Sequence, residues 1–171
     1  MTRAPRLVGA GARLEPVPDG VTTAVQAGDA DALDAALAGA GLRAADGWPH
    51  EDTPVALSIG DPARTWLVVL PDGRVVGECG WKSWPDGNGA VEIGYGLGRA
   101  ARARGTGTEA VALLVAWTEQ QPDVRAVAAD VLVGNEPSLR LLRRLGFQER
   151  LGDGPDVRLE RGRAVRGRHV C

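Results

Sequence analysis

Two arginines and two glycines lie close together in the middle of the chain, in the order Arg102-x-Arg104-Gly105-x-Gly107. A pattern of helical period begins directly behind them, near Thr106 to Thr108, so they are expected at a helix N-terminus. Such an end presents unpaired backbone N–H groups and the positive end of the helix dipole, and it therefore binds anions. Glycine lets the backbone approach the anion, and arginine adds fixed charge. This spacing predicts a phosphate site.

A strand and a helix must position this turn. In residues 91–97, Ile93, Tyr95 and Leu97 alternate with Glu92, Gly94 and Gly96, which predicts a strand. From about residue 106 to residue 120, apolar residues recur at spacings of three and four, which predicts a helix with one buried face. The turn therefore connects the end of a strand to the start of a helix.

The same residues carry a family resemblance. Arg102-x-x-Gly105-x-Gly107 matches the Gln/Arg-x-x-Gly-x-Gly/Ala signature of the GNAT superfamily of N-acetyltransferases, which binds the pyrophosphate of acetyl-CoA. Residues 92–97 resemble the family's fourth strand, and residues 104–110 resemble the branch that acetylates ribosomal-protein N-termini. The segments NEPS (135–138) and LGF (145–147) resemble the second cofactor motif.

The resemblance implies an α/β (α+β) fold, with a mixed, mostly antiparallel sheet of six or seven strands and helices on both faces. It implies acetyl-CoA as cosubstrate, coenzyme A as product, and direct attack by a primary amine. The acceptor is a protein N-terminus or a small-molecule amine, such as an antibiotic or a polyamine. The alternative is a module that binds or senses acyl-CoA without turnover.

The resemblance also implies a set of cofactor contacts. Backbone amides of the turn would bind the phosphates, the N–H near Leu97 would polarise the thioester carbonyl, and Asn135 would bind the pantetheine arm. Asn135 is also a good N-cap. Ala103 stands where the ribosomal-protein branch usually has glycine. The expected cofactor-binding residues are Leu97, Arg102, Ala103, Arg104, Gly105, Thr106, Gly107, Thr108 and Asn135.

Acetyl transfer also requires a base, because an amine is largely protonated at neutral pH. Glu92 shares a strand face with Gly94 and Gly96 and matches a position where many family members have a carboxylate. The alternative is that Glu92 only pairs with an arginine or binds the substrate cation electrostatically. Lesser candidates for the base are Glu51, Asp52 and Glu78.

The candidate proton donor to the departing thiolate is Ser138, which matches a serine that the ribosomal-protein branch places near the thioester sulfur. Many family members instead have a tyrosine four residues before the Gly-Phe pair, where this chain has Leu142. Tyr95, the only tyrosine, is expected elsewhere. The thiolate is then protonated by Ser138 or by water, or it leaves without being protonated.

Two stretches of the sequence are candidates for the acceptor side. The loop 44–54 contains Trp48, His50, Glu51 and Asp52, which could contact a cationic amine or could form a solvated loop whose tryptophan fills the core. Trp81 and Trp84 near the next turn could line the acceptor site, although packing is the favoured interpretation.

The remaining pattern completes one domain over residues 1–161. We expect strands at 12–17, 125–133 and in two hairpins, 65–70 with 74–81 and 147–150 with 156–161. A helix is expected over 21–40, with Asp29 or Asp31 capping its second half, and another over 135–145. Residues 162–171 are expected to be a disordered basic tail.

Composition limits the function classes. The 171 residues are 44% hydrophobic and carry a net charge of −2, which is ordinary for a soluble domain and argues against nucleic acid as the main partner. A nucleic-acid role through the arginine-rich tail and Arg143-Arg144 is the weaker alternative. The two cysteines suggest no metal or disulfide, and no apolar run reaches the roughly 20 residues of a membrane span. A bacterial-type enzyme of the cytoplasm is expected, and a homodimer is left open.

Overall fold

The computed structural model describes residues 4–59, 62–102, 104–151 and 154–162. The strands are β1 (Leu7–Val8), β2 (Arg13–Pro16), β3 (Arg43–Ala44), β4 (Thr65–Val69), β5 (Arg74–Trp81), β6 (Ala90–Leu97), β7 (Ala126–Val131), β8 (Gln148–Arg150) and β9 (Val157–Gly162). The helices are α1 (Val21–Ala27), α2 (Ala30–Gly39), α3 (Thr53–Ala56), α4 (Thr106–Thr118) and α5 (Glu136–Arg144).

The described strands form one nine-stranded sheet in the order β1-β2-β4-β5-β6-β7-β9-β8, with β3 paired to β5. Neighbours are antiparallel except for β6 with β7 and β3 with β5. The strands β1 and β3 have two residues each, too few for a periodic signal. The other seven are the strands expected from the sequence, and the mixed, mostly antiparallel α/β fold is confirmed.

Helices cover both faces of the sheet, as expected. Along β4, Trp66 and Val68 belong to the apolar cluster that contains the buried residues of α4 and α5. Their neighbours Leu67 and Val69 belong to the cluster that contains those of α1 and α2. This alternation follows from the period of two in a strand, and it gives the sheet a core on each side.

The expected single helix over 21–40 is wrong, because the segment forms two helices. Gly28 takes a left-handed conformation (φ 65°) and ends α1. Asp29 then caps α2, since its side chain accepts a hydrogen bond of 2.9 Å from the Ala32 N–H. The capping by Asp29 was expected; the break at Gly28 was not.

The expected tail starts at Gly162, which is the last residue of β9. Residues 163–171 lie outside the described residues. Among the described helices, none has both the length and the apolar character that crossing a membrane would need. No group of metal-binding side chains is found in the part of the chain that the structure describes.

Candidate active site

The turn before α4 has the form of an anion-binding helix start. Gly105 is the N-cap of α4 at φ 81°, a conformation that favours glycine. The Glu109 N–H bonds the Gly105 carbonyl at 3.0 Å, so the amides of Thr106, Gly107 and Thr108 precede this first bond of the helix. They therefore point out of its N-terminal end. Arg104 is exposed beside them, and Ala103 lies outside the described residues.

Arg102 lies one turn earlier and faces back toward the sheet. Its Nε donates a hydrogen bond of 2.9 Å to the carbonyl of Leu97, the last residue of β6. Gly107 brings α4 equally close to this strand end, since a β-carbon on Gly107 would lie 3.0 Å from Cδ1 of Leu97. Strand end and helix start therefore form one compact unit.

A gap opens between β6 and β7 beside this unit. The two parallel strands pair only from Ala90 to Glu92 on β6 and from Ala126 to Ala128 on β7. Beyond Glu92, β6 continues for five residues to Leu97 without a partner on that side among the described ladder pairs. Splayed parallel strands leave room for an extended chain to lie between them.

The register of β6 with β5 determines which amides face the gap. The Lys82 N–H bonds the Glu92 carbonyl at 2.7 Å, and the Gly98 N–H bonds the Val76 carbonyl at 2.8 Å. In an antiparallel pair hydrogen-bonded residues alternate, so the even-numbered residues of β6 exchange bonds with β5. The N–H groups of Tyr95 and Leu97 therefore point away from β5, into the gap.

Two hydroxyl groups lie at the same gap. The side chain of Asn135 caps α5 by accepting a 3.3 Å hydrogen bond from the Ser138 N–H, and Ser138 is half-buried on the first turn. Burial raises the pKa of Tyr95, and the nearby Ser138 side chain opposes this rise. The phenol and the Ser138 hydroxyl therefore lie close together, between β6 and α5. Leu142, at the family's usual tyrosine position, is fully buried.

Glu92 lies where the gap begins, since it is the last residue of β6 that pairs with β7. The carboxylate of Glu92 forms an ion pair with Lys82, the only lysine of the chain. Its own backbone N–H bonds the Ser83 hydroxyl at 3.3 Å. An ion pair was one of the roles expected for Glu92, but the expected partner was an arginine and the observed one is Lys82.

On the face of the sheet opposite α4, the loop before α3 encloses a carboxylate. Trp48 is buried, and its Nε1 donates a 2.7 Å hydrogen bond to Oε2 of Glu78 on β5. The Thr53 hydroxyl donates to the same oxygen at 3.2 Å, and Nε2 of His50 lies 2.9 Å from Oε1. Burial raises the pKa of Glu78, while the Trp48 hydrogen bond and the charge of His50 lower it less strongly.

Two clefts adjoin this carboxylate. One of about 320 Å³ is bordered by His50, Glu78, Gly94 and Gly96 and by the apolar side of α3. The other, of about 610 Å³, is bordered by His50 together with Glu51, Asp52, Arg99 and Arg102. His50 and Asp52 border both clefts, whereas Glu51 borders the second.

Trp81 and Trp84, the two other tryptophans expected near the acceptor site, differ in exposure. Trp81 is 3% exposed and packs with Trp117, and its Nε1 bonds the Thr118 hydroxyl at 2.8 Å. Trp84 is 57% exposed, and the guanidinium of Arg64 stacks 3.9 Å from its ring centroid. Trp81 is thus anchored on the α4 side of the sheet, while Trp84 faces solvent.

Sequence reasoning missed three residues of this arrangement. It placed Tyr95 elsewhere, although alternation along β6 puts its ring on the face of Leu97 and α4. It gave Glu78 a lesser role and did not connect it with His50, since nothing local links residues 28 apart that meet only through the sheet. The partner of Glu92 was equally invisible, although Lys82 stands at the end of the neighbouring strand.

Comparison with known proteins adds a family and a fold. Residues 23–148 match a family model described as acetyltransferase (GNAT) domain. The N-acetyltransferase p20 of Bacillus licheniformis is 34% identical over 90 residues, 53% of this chain and 51% of that protein. The N-acetyltransferase YjdG of Bacillus subtilis strain 168 is 32% identical over 84 residues, 48% of this chain and 50% of that protein. The chain thus matches about half the length of these relatives.

Solved structures of similar fold include three acetyltransferases. One of the GNAT family from Bacillus anthracis is 15% identical, covering 93% of this chain and 99% of that one, with a TM-score of 0.63. RimL, a ribosomal L7/L12 α-N-protein acetyltransferase solved with coenzyme A, is 17% identical over 92% and 98% of the two chains, with a TM-score of 0.63. An aminoglycoside acetyltransferase, AAC(6')-Ib, also solved with coenzyme A, is 22% identical over 58% and 65%, with a TM-score of 0.51. At these identities the likeness shows the fold alone.

Proposed function

We propose that this chain, which belongs to the GNAT acetyltransferase family, transfers an acetyl group from acetyl-CoA to a primary amine. The observation that supports this most directly is the gap in which β6 leaves β7 after Glu92 while the amides of Tyr95 and Leu97 face the opening. A thioester arm would find backbone donors there, next to a helix start built for an anion. The cytoplasm, where acetyl-CoA is available, is part of this proposal.

The chain's own groups divide the work on the cofactor side. The amides of Thr106, Gly107 and Thr108, with the charges of Arg102 and Arg104, would hold the phosphates. Asn135 would bind the arm where it enters the gap, using the amide N–H₂ that its capping role leaves over. We extend the proposed turn to Ala103 on the motif alone.

The reacting end of the arm needs two further contacts. The Leu97 N–H, directed into the gap, would polarise the thioester carbonyl, because a preorganised donor stabilises the charge that develops on oxygen. Ser138 would give the departing thiolate its proton, and the Tyr95 phenol beside it is positioned to do the same. Bound acetyl-CoA supplies the activated acyl group; all remaining tasks fall to these side chains and amides.

The acceptor would enter from the other face of β6. Carboxylates at the clefts, among them Glu51 and Asp52, favour a cation, which an amine is at neutral pH. For Glu92 we adopt the electrostatic role, since its carboxylate already pairs with Lys82. Trp48 supports Glu78 from within the core, and Trp84 with Arg64 forms an exposed wall near Trp81.

The experiment combines binding and turnover. Isothermal titration with acetyl-CoA is expected to give one site, and Gly105→Val is expected to weaken it at least tenfold, since valine does not tolerate φ 81°. Gly28→Val is the matched control, because Gly28 is also left-handed (φ 65°) but ends α1. Thiol release is then followed with a panel of amines: a peptide with a free N-terminus, kanamycin and spermidine. Binding without any amine-dependent thiol release would favour the sensing module; no binding at all would refute the proposal.

A further inference from the structure

A buried pair of titratable groups lies on the acceptor face of the sheet. The Glu78 side chain is 2% exposed and lies beside the His50 side chain, which is 14% exposed, with Oε1 and Nε2 separated by 2.9 Å. The second carboxylate oxygen accepts hydrogen bonds from Trp48 and Thr53. All three partners come from residues 48–53, so one short segment closes over the carboxylate.

Burying a carboxylate in a protein interior is costly, and an apolar side chain of similar size would pack at this position without that cost. Burial raises the pKa of Glu78 accordingly. A carboxyl group with a raised pKa, next to a specific partner and at a cleft, is a common sign of a functional group. The competing explanation is that Glu78 only ties the segment 48–53 to the sheet.

Position distinguishes the two explanations. Glu78 is directly opposite Gly96 in the β5–β6 ladder. A β-carbon on Gly96 would lie 2.7 Å from Oε1 of Glu78 and 2.7 Å from Nε2 of His50. The imidazole therefore lies over the peptide next to Leu97, whose amide would bind the thioester oxygen. A simple anchor for the loop would not have to lie against the reacting position.

His50 and Glu78 differ in their access to the two clefts. The imidazole borders both clefts, whereas Glu78 borders the smaller one and is almost fully enclosed. Of the two groups, His50 is therefore the one that a substrate in either cleft can reach. Glu92, by contrast, forms an ion pair with Lys82.

We propose that His50 is the base that takes the proton from the acceptor amine, and that Glu78 is its positioning partner. This inference rests on the proposed acetyl transfer. Nε2 lies 2.9 Å from Oε1 of Glu78, and this nearby carboxylate favours the tautomer with the proton on Nε2. The lone pair of the imidazole is then on Nδ1, and the imidazolium that forms is stabilised by the negative charge behind it. Trp48 and Thr53 hold that carboxylate in place.

The step balances as follows. The substrate ammonium gives one proton to Nδ1 of His50, directly or through one water, and the neutral nitrogen attacks the carbonyl carbon. The N–C bond forms, the C–S bond breaks, and its electron pair leaves with sulfur, which takes a proton from Ser138, Tyr95 or water. The amide nitrogen releases its second proton to solvent or to the donor just used, and the imidazolium returns its proton to solvent. One proton is released for each acetyl group transferred.

Other charged groups face the pair and act on any pH profile. The carboxylates at the two clefts are Asp46, Glu51 and Asp52, and the cations are Lys82, Arg99 and Arg102. Tyr95 also borders the smaller cleft, and burial raises its pKa. These groups are the same in the wild type and in a His50 variant, so the difference between two profiles isolates the imidazole.

The test measures kcat/KM for the best acceptor of the amine panel between pH 6 and pH 10. At pH 7 we expect His50→Gln to lower kcat/KM by at least about 100-fold, the usual contribution of a general base, with acetyl-CoA affinity within about threefold of wild type. Its rate should then rise with pH as the free amine appears, while the wild type levels off. Imidazole added to His50→Ala should restore part of the rate.

Glu78→Gln should shift the pH at which kcat/KM levels off and should not only lower the rate. The matched control is Glu15→Gln, since Glu15 is also a buried glutamate with ion-pair partners, Arg6 and Arg13, but lies on β2 away from the clefts. This control should keep the wild-type profile. A second measurement leaves His50 and Glu78 unchanged: ¹⁵N NMR of the chain carrying His169→Gln, which leaves one imidazole, should show Nε2 protonated.

Each result decides the inference. A His50→Gln rate within threefold of wild type at pH 7, or a loss that high pH and imidazole both fail to restore, overturns it and leaves a loop anchor. So does an imidazole protonated on Nδ1. If the wild type binds acetyl-CoA but acetylates none of the amines, the proposed function fails first, and the base assignment fails with it.

Discussion

The two faces of β6 draw their partners from different parts of the chain. On the face of Ile93, Tyr95 and Leu97, the contacts come from helices that follow in sequence: Gly107 on α4 packs against Leu97, and Ser138 on α5 lies near Tyr95. On the face of Gly94 and Gly96, the contacts come from earlier segments. His50 and Glu78 lie against Gly96, and Lys82 lies against Gly94.

This difference separates the two halves of the proposed reaction. The later helices present backbone amides and hydroxyls, which suit an anion and a thioester oxygen. The earlier segments present titratable side chains, which suit an amine that must lose a proton. The strand between them would hold the acetyl group where the two sets of groups meet.

The largest expected effect is at the Leu97 amide. Replacing leucine 97 by its α-hydroxy acid removes this N–H and keeps the side chain; the N–H faces the gap, so no bond to β5 is lost. We expect kcat to fall by about 100- to 1000-fold, the usual loss for one oxyanion donor. Acetyl-CoA affinity, measured by titration calorimetry, should stay within about threefold. A kcat close to wild type would show that the carbonyl is polarised elsewhere.

A pair of glycine variants tests the opposite face. Gly96→Ala adds a methyl group 2.7 Å from atoms of His50 and Glu78, which are held by the sheet and by α3, so the imidazole must move. A displacement of about 1 Å in a reacting group can cost about 100-fold, and we expect a loss of that order in kcat/KM for the amine. Acetyl-CoA binding should be unaffected.

Gly94→Ala is the matched control. Its methyl group would lie 3.0 Å from the Lys82 side chain, which is flexible and can move aside. The rate should stay within about threefold of wild type. Equal losses in the two variants would mean that β6 tolerates no side chain on this face, and the special position of His50 would lose its support.

These two faces also show what the sequence could predict. The glycine turn before α4, the seven longer strands and the Asn135 cap follow from local patterns, because each depends on residues within one or two turns of each other. The break of the first helix was missed at Gly28, where the glycine signal competed with a continuous alanine-rich pattern. The nearness of Tyr95 and Ser138 depends on how α5 docks beside β6, and local patterns do not specify such docking.

The contacts on the acceptor side could not be predicted from local sequence patterns. Trp48 and Glu78 are 30 residues apart and meet because β5 occupies the centre of the sheet. A polar loop residue such as His50 is usually solvated, and only the fold makes it the neighbour of a buried carboxylate. Partner choice across a sheet is set by strand order, which this sequence does not specify locally.

A smaller effect is expected at the two hydroxyls of the gap. Tyr95→Phe and Ser138→Ala should each lower kcat by about tenfold or less, because a thiolate leaves readily and water can replace one donor. The double variant should lose more than the product of the two single losses, since each hydroxyl can replace the other. Solvent isotope effects on thiol release measure the proton step. A double variant with wild-type kcat would remove both residues from the mechanism.

The smallest effect is expected at Glu92, although it was the first choice of the sequence argument. Glu92→Gln breaks a partly exposed ion pair, worth about 0.2–1 kcal/mol, and should lower kcat/KM by about threefold or less without changing the pH profile. Lys82→Met should act in the opposite direction, because it removes a cation that repels the cationic acceptor at the cleft, and the amine KM should fall a few-fold. Steady-state rates of both variants from pH 6 to pH 10 test this pair. A 100-fold loss of kcat/KM in Glu92→Gln that disappears at high pH would make Glu92 the base. Glu92, paired with Lys82, would then have the role that we give to His50, paired with Glu78.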